Sequence, residues 1–223
     1  MKSKIFIACD TTSTKKIKEI ISKTKNSKIK IGYKFGLEFL NSKNGRAYLS
    51  KIRNKTIFAD LKLHDIPNTC TSAINAIKDL KVNYLTIHIS SGLDALRSVK
   101  KISGKIKILG VTVLTSLNDK KLKETGHTRS VKNLVIKKAK LAAKANLDGI
   151  VCSANEVPYI KKIFKKEIIT PGIRLAGDKA KDQKRITTPK KAFENGATSI
   201  VVGRSITQGN ISKNIKKLIK SLN

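Results

Sequence analysis

The chain contains no tryptophan, and aromatic residues make up only 4% of it. Proteins that bind single-stranded nucleic acid usually stack bases on aromatic side chains, so a stacking platform is poorly supplied here. Lysine interrupts every apolar segment well before the roughly 18 apolar residues that a membrane span needs. The first residues, Met1 to Asp10, predict a strand and lack the apolar region of a signal peptide. We therefore expect a cytoplasmic protein with no membrane association.

Cysteine and histidine are also scarce. Cys9, Cys70 and Cys152 are odd in number and have no metal-site spacing, so they are typical of small buried residues in a reducing compartment. His64 and His88 lie near the ends of predicted strands, where lone histidines are more often hydrogen-bonded packing residues than ligands. No third ligand lies at zinc spacing. The sequence thus predicts no metal site.

Acidic residues are few: 15 Asp and Glu stand against 48 Lys and Arg, which gives a formal net charge of +33. Such a charge is typical of nucleic-acid-binding proteins, because lysines that neutralise phosphates release counterions. However, the cations are 41 Lys and only 7 Arg, whereas base recognition favours arginine. The lysines also spread along all helical segments. We interpret them as solvated helix faces and expect no dedicated nucleic-acid partner, although a basic nucleic-acid-binding protein remains the alternative from another functional class.

Short apolar runs alternate with amphipathic segments along the whole chain. The predicted strands are Lys4–Cys9, Lys28–Gly32, Ile57–Leu61, Tyr84–Ile89, Ile106–Val113, Gly149–Cys152, Glu167–Thr170 and Ser199–Val202. The predicted helices lie near 14–25, 36–52, 68–80, 93–101, 130–146, 155–165, 189–196 and 211–221. Eight strand–helix units without a composition break predict an α/β fold with one domain over residues 1–223, a single (β/α)8 TIM barrel. An open doubly wound sheet is the alternative, but its G-x-G-x-x-G fingerprint after the first strand is absent.

Polar residues follow many of the predicted strands at their carboxyl ends, where the active sites of such barrels lie. They are Asp10 after strand 1, Lys30 near the end of strand 2, Asp60 and Lys62 at the end of strand 3, Thr115 after strand 5, Arg174 and Gln183 after strand 7, and Gly203 and Arg204 after strand 8. We expect these side chains to converge on one site.

The densest group of charges is the segment Asp60-Leu61-Lys62-Leu63-His64-Asp65-Ile66-Pro67-Asn68-Thr69, which follows an apolar strand. Asp60 and Lys62 lie two apart, so on an extended strand they point the same way. Asp65 comes where the chain leaves the strand, and Pro67 suits the first turn of a helix. A D-x-K-x-x-D pattern can also be an exposed ion-pair cluster. Its position after a buried strand favours a catalytic site.

Eight segments, in this order, resemble the orotidine 5′-phosphate decarboxylase family (type 1). They are 8–10, 30–32, 60–69, 111–116, 151–153, 170–174, 182–183 with 185, and 202–207. The motifs D-L-K-x-H-D-I-P-N-T and T-P-G-I-R are the most specific. Cys9, Lys34 and Ile89 depart from the residues that are usual in the family. The resemblance implies a cofactor-free enzyme that removes CO₂ from orotidine 5′-monophosphate to give uridine 5′-monophosphate.

The resemblance also implies roles for the candidate residues. Lys62 would protonate C6, Asp60 would face the substrate carboxylate, and Lys30 and Asp65 would complete a row of alternating charges that keeps the lysines ionised. The implied substrate contacts are Asp10, Lys30, Asp60, Ile66, Thr69, Thr115, Arg174, Gln183, Gly203 and Arg204. In a homodimer, Asp65, Ile66 and Thr69 would reach the partner's site, and residues 175–187 would close over the phosphate.

A sister group of sugar-phosphate enzymes shares the barrel and the D-x-K-x-x-D core but uses Mg²⁺. These decarboxylases and aldolases hold the metal partly through a glutamate in an E-x-G context on strand 2. We place Lys30 at that position, where a cation would repel the metal, because Mg²⁺ prefers carboxylate ligands. The sequence therefore favours the metal-free family and keeps the Mg²⁺-dependent enzyme as the nearer alternative.

Overall fold

In the computed structural model, eight parallel strands form a closed barrel in chain order, and residues 4–25, 29–175, 177–178 and 186–222 are described. The strands are β1 (Lys4–Ala8), β2 (Lys30–Gly36), β3 (Thr56–Leu63), β4 (Tyr84–His88), β5 (Lys107–Val111), β6 (Gly149–Val151), β7 (Glu167–Thr170) and β8 (Ser199–Val202). The predicted (β/α)8 TIM barrel is confirmed.

Helices lie between the strands and after the last one. They are α1 (Thr14–Lys23), α2 (Leu37–Leu40), α3 (Gly45–Leu49), α4 (Pro67–Ile77), α5 (Gly92–Ile102), α6 (Asp119–Lys123), α7 (Val131–Lys144), α8 (Val157–Ile163), α9 (Pro189–Glu194), α10 (Arg204–Thr207) and α11 (Ile211–Lys220). Two of them, α6 and α10, fall outside the helical segments expected from the sequence. The single helix expected over 36–52 is instead two short ones, interrupted at 41–44.

The first helix shows how a lysine-rich sequence still forms an ordered shell around the barrel. Ser13 caps α1 by accepting a hydrogen bond from the backbone N–H of Lys16 at 3.2 Å. Ile17 and Ile20 are buried against the barrel, whereas most of the lysines on the helix stay in solvent. The three cysteines are free and buried, as expected. No helix of the described part of the chain is both long and apolar enough to cross a membrane.

Aromatic side chains fill the half of the barrel interior that lies toward the amino ends of the strands. The ring of Phe6 meets the rings of Phe58 and Tyr84 edge-on, with centroids 5.2 Å apart in both pairs. Below them, the Tyr84 hydroxyl bonds to the Glu167 carboxylate at 3.2 Å and to the ammonium group of Lys4. These aromatic rings and polar contacts close the amino end of the barrel, so the interior opens toward solvent at the carboxyl ends of the strands.

Strand β2 runs four residues further than its apolar pattern predicts. Gly32 was expected to end the strand, but it lies inside it, opposite Phe6 of β1. A Cβ atom at position 32 would lie 2.8 Å from the Phe6 ring, so glycine here makes room for that ring. The strand continues through the buried Tyr33 and Phe35 and ends at Gly36.

Strand β3 is irregular at its carboxyl end. Its pairing with β4 is regular up to Ala59 and resumes at Leu63, where Ile87 is the partner. Between these pairs, Lys62 adopts a left-handed backbone conformation with φ of 49°. An L-residue pays roughly 1–2 kcal/mol for this conformation, which is a sign that the bulge is held in place by other contacts.

The aromatic layer should determine much of the stability of the barrel. Phe6→Ala should lower the free energy of unfolding by about 3–5 kcal/mol, because it opens a cavity in a closed, packed layer. Phe6→Leu retains most of the volume and should cost less than half as much. Urea denaturation at equal protein concentrations measures both. Equal midpoints for the Ala and Leu variants would contradict the packing described here.

Candidate active site

A cavity of about 660 Å³ opens at the carboxyl ends of the strands. Its lining combines apolar strand residues with charged side chains. The charged residues that concern the proposed chemistry are Asp10, Lys34, Asp60, Lys62, Arg174 and Arg204. Seven of the nine residues that the sequence places at strand ends line this cavity, and Lys34, which was not among the nine, lines it as well.

The carboxylate of Asp60 lies at the centre of this charged group and is buried. Its Oδ2 atom is 2.9 Å from Nζ of Lys62 and 3.3 Å from Nζ of Lys34. Its Oδ1 atom accepts a hydrogen bond of 2.9 Å from the hydroxyl of Thr86 on β4. One carboxylate oxygen thus faces two ammonium groups, and the other is hydrogen-bonded to Thr86 of the neighbouring strand.

The charges in this group stabilise one another. Burial alone would raise the pKa of Asp60, but Lys34 and Lys62 outweigh it and hold this pKa below its ordinary value. Burial likewise acts to lower the pKa of Lys34, and the nearby Asp60 and Asp10 more than reverse that effect. Asp60 therefore stays an anion and Lys34 a cation, although both side chains are largely buried.

Lys34 also contacts the carboxylate of Asp10, whose Oδ1 atom is 3.2 Å from Nζ of Lys34. Asp10 follows β1 and leaves more than half of its side chain exposed. Gly36 lies beside this pair, and a Cβ atom there would be 3.5 Å from Nζ of Lys34. The row of ion pairs in this chain is therefore Asp10, Lys34, Asp60 and Lys62, with alternating sign.

The expectation that Lys30 lies near the carboxyl end of strand 2 is wrong. Lys30 is the first residue of β2, is exposed and pairs with Lys4 at the amino end of the barrel. The pattern K-x-G occurs twice in this strand, at 30–32 and at 34–36, and the second copy carries the site lysine. A cation near the carboxyl end of strand 2 would still repel Mg²⁺, but that cation is Lys34 instead of Lys30.

Three of the predicted site residues lie outside the cavity of their own chain. Asp65, Ile66 and Thr69 are exposed where β3 leads into α4, and Ile66 leaves 65% of its surface in solvent. The Asp65 carboxylate accepts a hydrogen bond of 2.7 Å from the backbone N–H of Ile66. Within the part of the chain that the structure describes, Asp65 forms no ion pair with Lys62.

The cavity is also lined by four other residues that the sequence predicts to contact substrate. Thr115, Arg174, Gly203 and Arg204 all line it. The backbone N–H of Arg174 donates to the carbonyl of Thr187 at 2.9 Å, which ties the two ends of the predicted lid together. The predicted contact residue Gln183 lies outside the described residues, as does most of that lid.

Two histidines stack beside the charged group without lining the cavity. The ring centroids of His64 and His88 are 5.2 Å apart. Burial, followed by the influence of His64, Lys138 and Lys62, lowers the pKa of His88 to about 4, with Asp60 acting in the opposite direction. Among the described residues, no group of three or more His, Cys, Asp or Glu side chains is arranged to hold a metal ion.

Comparison with known proteins agrees with this geometry. The family model described as orotidine 5′-phosphate decarboxylase / HUMPS family matches residues 3–216. The chain belongs to this family. The orotidine 5′-phosphate decarboxylase of Wolbachia pipientis subsp. Culex pipiens is 44% identical over 226 residues, covering 98% of each chain. That of Buchnera aphidicola subsp. Schizaphis graminum is 47% identical over 169 residues, covering 73% of this chain and 70% of its own.

A solved structure extends the agreement within the orotidine 5′-phosphate decarboxylase / HUMPS family to the fold. The crystal structure of orotidine 5′-phosphate decarboxylase from Lactobacillus acidophilus matches with a TM-score of 0.83 and 31% sequence identity, covering 100% of both chains. The resemblance inferred from the eight sequence segments is therefore confirmed.

The depressed pKa of His88 has a measurable consequence. An NMR titration should show its ring still neutral at mildly acidic pH, with a midpoint near 4 instead of the ordinary 6.5. Since the unfolded chain takes up this proton first, the stability that neutral His88 contributes is present above pH 6.5 and is lost as the pH falls toward 4. The stability of His88→Asn should decline less steeply over that range. A midpoint close to 6.5 would contradict the described burial.

Proposed function

We propose that this chain is a carboxy-lyase that converts orotidine 5′-monophosphate to uridine 5′-monophosphate and CO₂, the last step of de novo uridylate synthesis. The reaction would use no metal ion and no organic cofactor. The observation that carries the proposal is the position of Asp60 between Lys34 and Lys62 at the mouth of the barrel, in a chain of this family. Such a site can oppose a substrate carboxylate and then protonate the carbon that loses it.

The chemistry requires a cation at the reacting carbon. When the bond between C6 and the carboxyl carbon breaks, its electron pair stays on C6, because the ring offers no conjugated sink. A proton from Nζ of Lys62 then forms the new C6–H bond and leaves a neutral amine, which solvent reprotonates. General-acid transfer of this kind typically contributes about 10²–10⁴-fold, and preorganised charges contribute much of the rest.

Asp60 would act on the ground state of the substrate. Its ionised carboxylate, which is largely buried in the wall of the cavity, would face the substrate carboxylate, and the repulsion would be relieved as neutral CO₂ leaves. Lys34 would keep Asp60 ionised and in place. This assigns to Lys34 the part that the sequence analysis gave to Lys30.

The remaining residues would bind parts of the substrate that lie away from the reacting carbon. Asp10 would bond the ribose hydroxyls, and Thr115 would bind the edge of the pyrimidine. Gly203 and Arg204 lie where β8 leads into the short helix α10, which is the usual phosphate position of such barrels. Arg174 and Gln183 would add further substrate contacts. Binding energy from the phosphate can then hold the ring in its reactive position.

We also propose that the active form is a homodimer. Asp65, Ile66 and Thr69 are exposed directly after the β3 segment that carries Lys62, and Ile66 is a large apolar residue in solvent. In a two-fold dimer these residues would enter the partner's cavity, where Asp65 would extend the row of alternating charges. Each site would then combine side chains from both subunits.

The two alternative functions fit the described residues less well. A Mg²⁺-dependent sugar-phosphate enzyme would need carboxylate ligands around the metal, whereas Lys34 and Lys62 surround Asp60 with cations. A nucleic-acid-binding protein would concentrate its positive charge on one surface, whereas the lysines here are distributed over the exposed faces of many helices.

The direct test is an activity assay with the purified protein. Loss of orotidylate absorbance should proceed at the same rate in excess EDTA as in its absence, because no step needs a metal. Complete lack of turnover would refute the proposed function. Turnover that disappears with the chelator and returns with Mg²⁺ would instead favour the metal-dependent alternative.

The two lysines of β2 give a matched pair of variants. Lys34→Ala should lower kcat by about 10²–10³-fold, since it removes a preorganised charge from Asp60. Lys30→Ala, at the other end of the same strand, should stay within about twofold of the unaltered protein. Steady-state kinetics on both variants measures this difference. Equal losses in the two variants would refute the assignment of Lys34 to the site.

A shared site predicts that two inactive variants can restore activity together. Lys62→Ala and Asp65→Ala homodimers should both be nearly inactive. After dissociation and random re-annealing in equal amounts, about half of the dimers should be mixed, and each mixed dimer should contain one intact site. The mixture should therefore recover roughly a quarter of the original activity. No recovery, with subunit exchange confirmed independently, would place Asp65 in its own subunit's site or outside the chemistry.

A further inference from the structure

The bulge in β3 lies opposite a single residue of β4. Between the pairs Ala59–Leu85 and Leu63–Ile87, β3 has residues 60–62 and β4 has only Thr86. The two charged residues at the centre of the site, Asp60 and Lys62, are thus both in the stretch that lacks a regular partner on β4, although Asp60 still pairs with Gly36 of β2. Whatever fixes this stretch also fixes the distance between them.

The hydroxyl of Thr86 bonds to both ends of the bulge. It accepts a hydrogen bond of 2.9 Å from the backbone N–H of Lys62. Because an ionised carboxylate can only accept, the same hydroxyl donates its proton to Oδ1 of Asp60, also at 2.9 Å. Thr86 is completely buried, so water does not compete for either bond. The direction of the hydroxyl proton is therefore determined by its two partners.

These two bonds act on different properties of the site. The bond to Asp60 holds Oδ1 and so leaves Oδ2 facing Nζ of Lys62 and Nζ of Lys34. The bond to the N–H of Lys62 satisfies an amide whose residue has the disfavoured φ of 49°. Without the hydroxyl, the carboxylate could rotate and the bulge could relax.

We infer that Thr86 is a positioning residue for the proposed decarboxylation: its hydroxyl sets the orientation of the Asp60 carboxylate and the backbone of Lys62 together. The inference rests on the proposed function of this site. Thr86 does not line the cavity and would not touch substrate, so it acts through the two charged residues above it.

Isosteric substitution tests the inference. Thr86→Val keeps the shape of the side chain and removes both hydrogen bonds, so kcat should fall about 10- to 100-fold while KM for orotidylate changes little. Thr86→Ser keeps the hydroxyl and should recover activity to within about threefold of the unaltered protein.

The control is Thr170→Val at the carboxyl end of β7. Thr170 is also completely buried, and its hydroxyl has no hydrogen-bond partner among the described residues. This variant should keep kcat within about twofold. The inference is overturned if Thr86→Val keeps full kcat, if Thr86→Ser is as impaired as Thr86→Val, or if the control loses as much activity.

A pH profile separates positioning from a general loss of stability. The charged or titratable groups around Asp60 are Lys34 on β2, Lys62 on β3 and His88 at the end of β4. Thr86 adds a hydrogen bond that lowers the pKa of Asp60, so its loss in Thr86→Val should move the acidic limb of kcat/KM to higher pH. Thr86→Ser should restore the profile. An unmoved limb in Thr86→Val would contradict a role in orienting Asp60.

One measurement needs neither a variant nor substrate. Hydrogen–deuterium exchange should show the Lys62 amide of the unaltered protein protected as strongly as the amides of the regular part of β3, because its acceptor is a buried hydroxyl. Rapid exchange at Lys62 would overturn the inference even if Thr86→Val failed to fold. Since no turnover is involved, this result is independent of whether the proposed reaction is found.

Discussion

The buried carboxylate of Asp60 imposes the strongest constraint on this structure. An ionised carboxylate in the interior is costly unless it is paired and hydrogen-bonded. Here two lysines and a threonine hydroxyl from three neighbouring strands meet that requirement. The partners must therefore stay in fixed positions for the fold to accept the charge. In the proposed reaction, the same fixed positions would make the site reactive, because charges that cannot relax act on the substrate without first reorganising.

The barrel brings these partners together through the alternation of side chains along its strands. On β2, Gly32 and Lys34 point into the barrel, while Tyr33 and Phe35 pack toward the helices. The lower interior is filled by aromatic rings and closed by Tyr84 and Glu167. A packed lower half leaves the upper half as a cavity, so the charged residues lie at the boundary between the packed core and solvent.

Much of this arrangement could be predicted from the sequence, and the failures have physical causes. The alternation of strands and helices predicted the barrel, and the D-x-K pattern predicted the Asp60–Lys62 pair. Gly32 suggested a strand end because glycine commonly breaks strands, whereas its actual role is to make room for Phe6. That contact joins β1 to β2 in the fold and has no signature in the local sequence. Because of this error, the sequence analysis assigned the lysine of strand 2 to position 30, in the first K-x-G repeat, whereas the lysine that lines the cavity is Lys34, in the second.

Other features depend on contacts that the sequence does not display. Thr86 lies within an ordinary apolar strand, and its importance follows only from the bulge that faces it. The Asp60–Lys62 pair does form, but through a left-handed Lys62 instead of the regular alternation that the spacing suggested. Asp65 and Ile66 are exposed in one chain, and the shared site that we propose would form only when two subunits are present.

The most direct measurement is a crystal structure of the protein with uridine 5′-monophosphate bound. We expect C6 of the pyrimidine to lie within hydrogen-bond reach of Nζ of Lys62, with the phosphate at Gly203 and Arg204 and the ribose hydroxyls at Asp10. We also expect Asp65 of each subunit to enter the other subunit's cavity. A nucleotide bound in the reverse orientation, with its phosphate at Lys62, or bound outside the cavity would refute the proposed site.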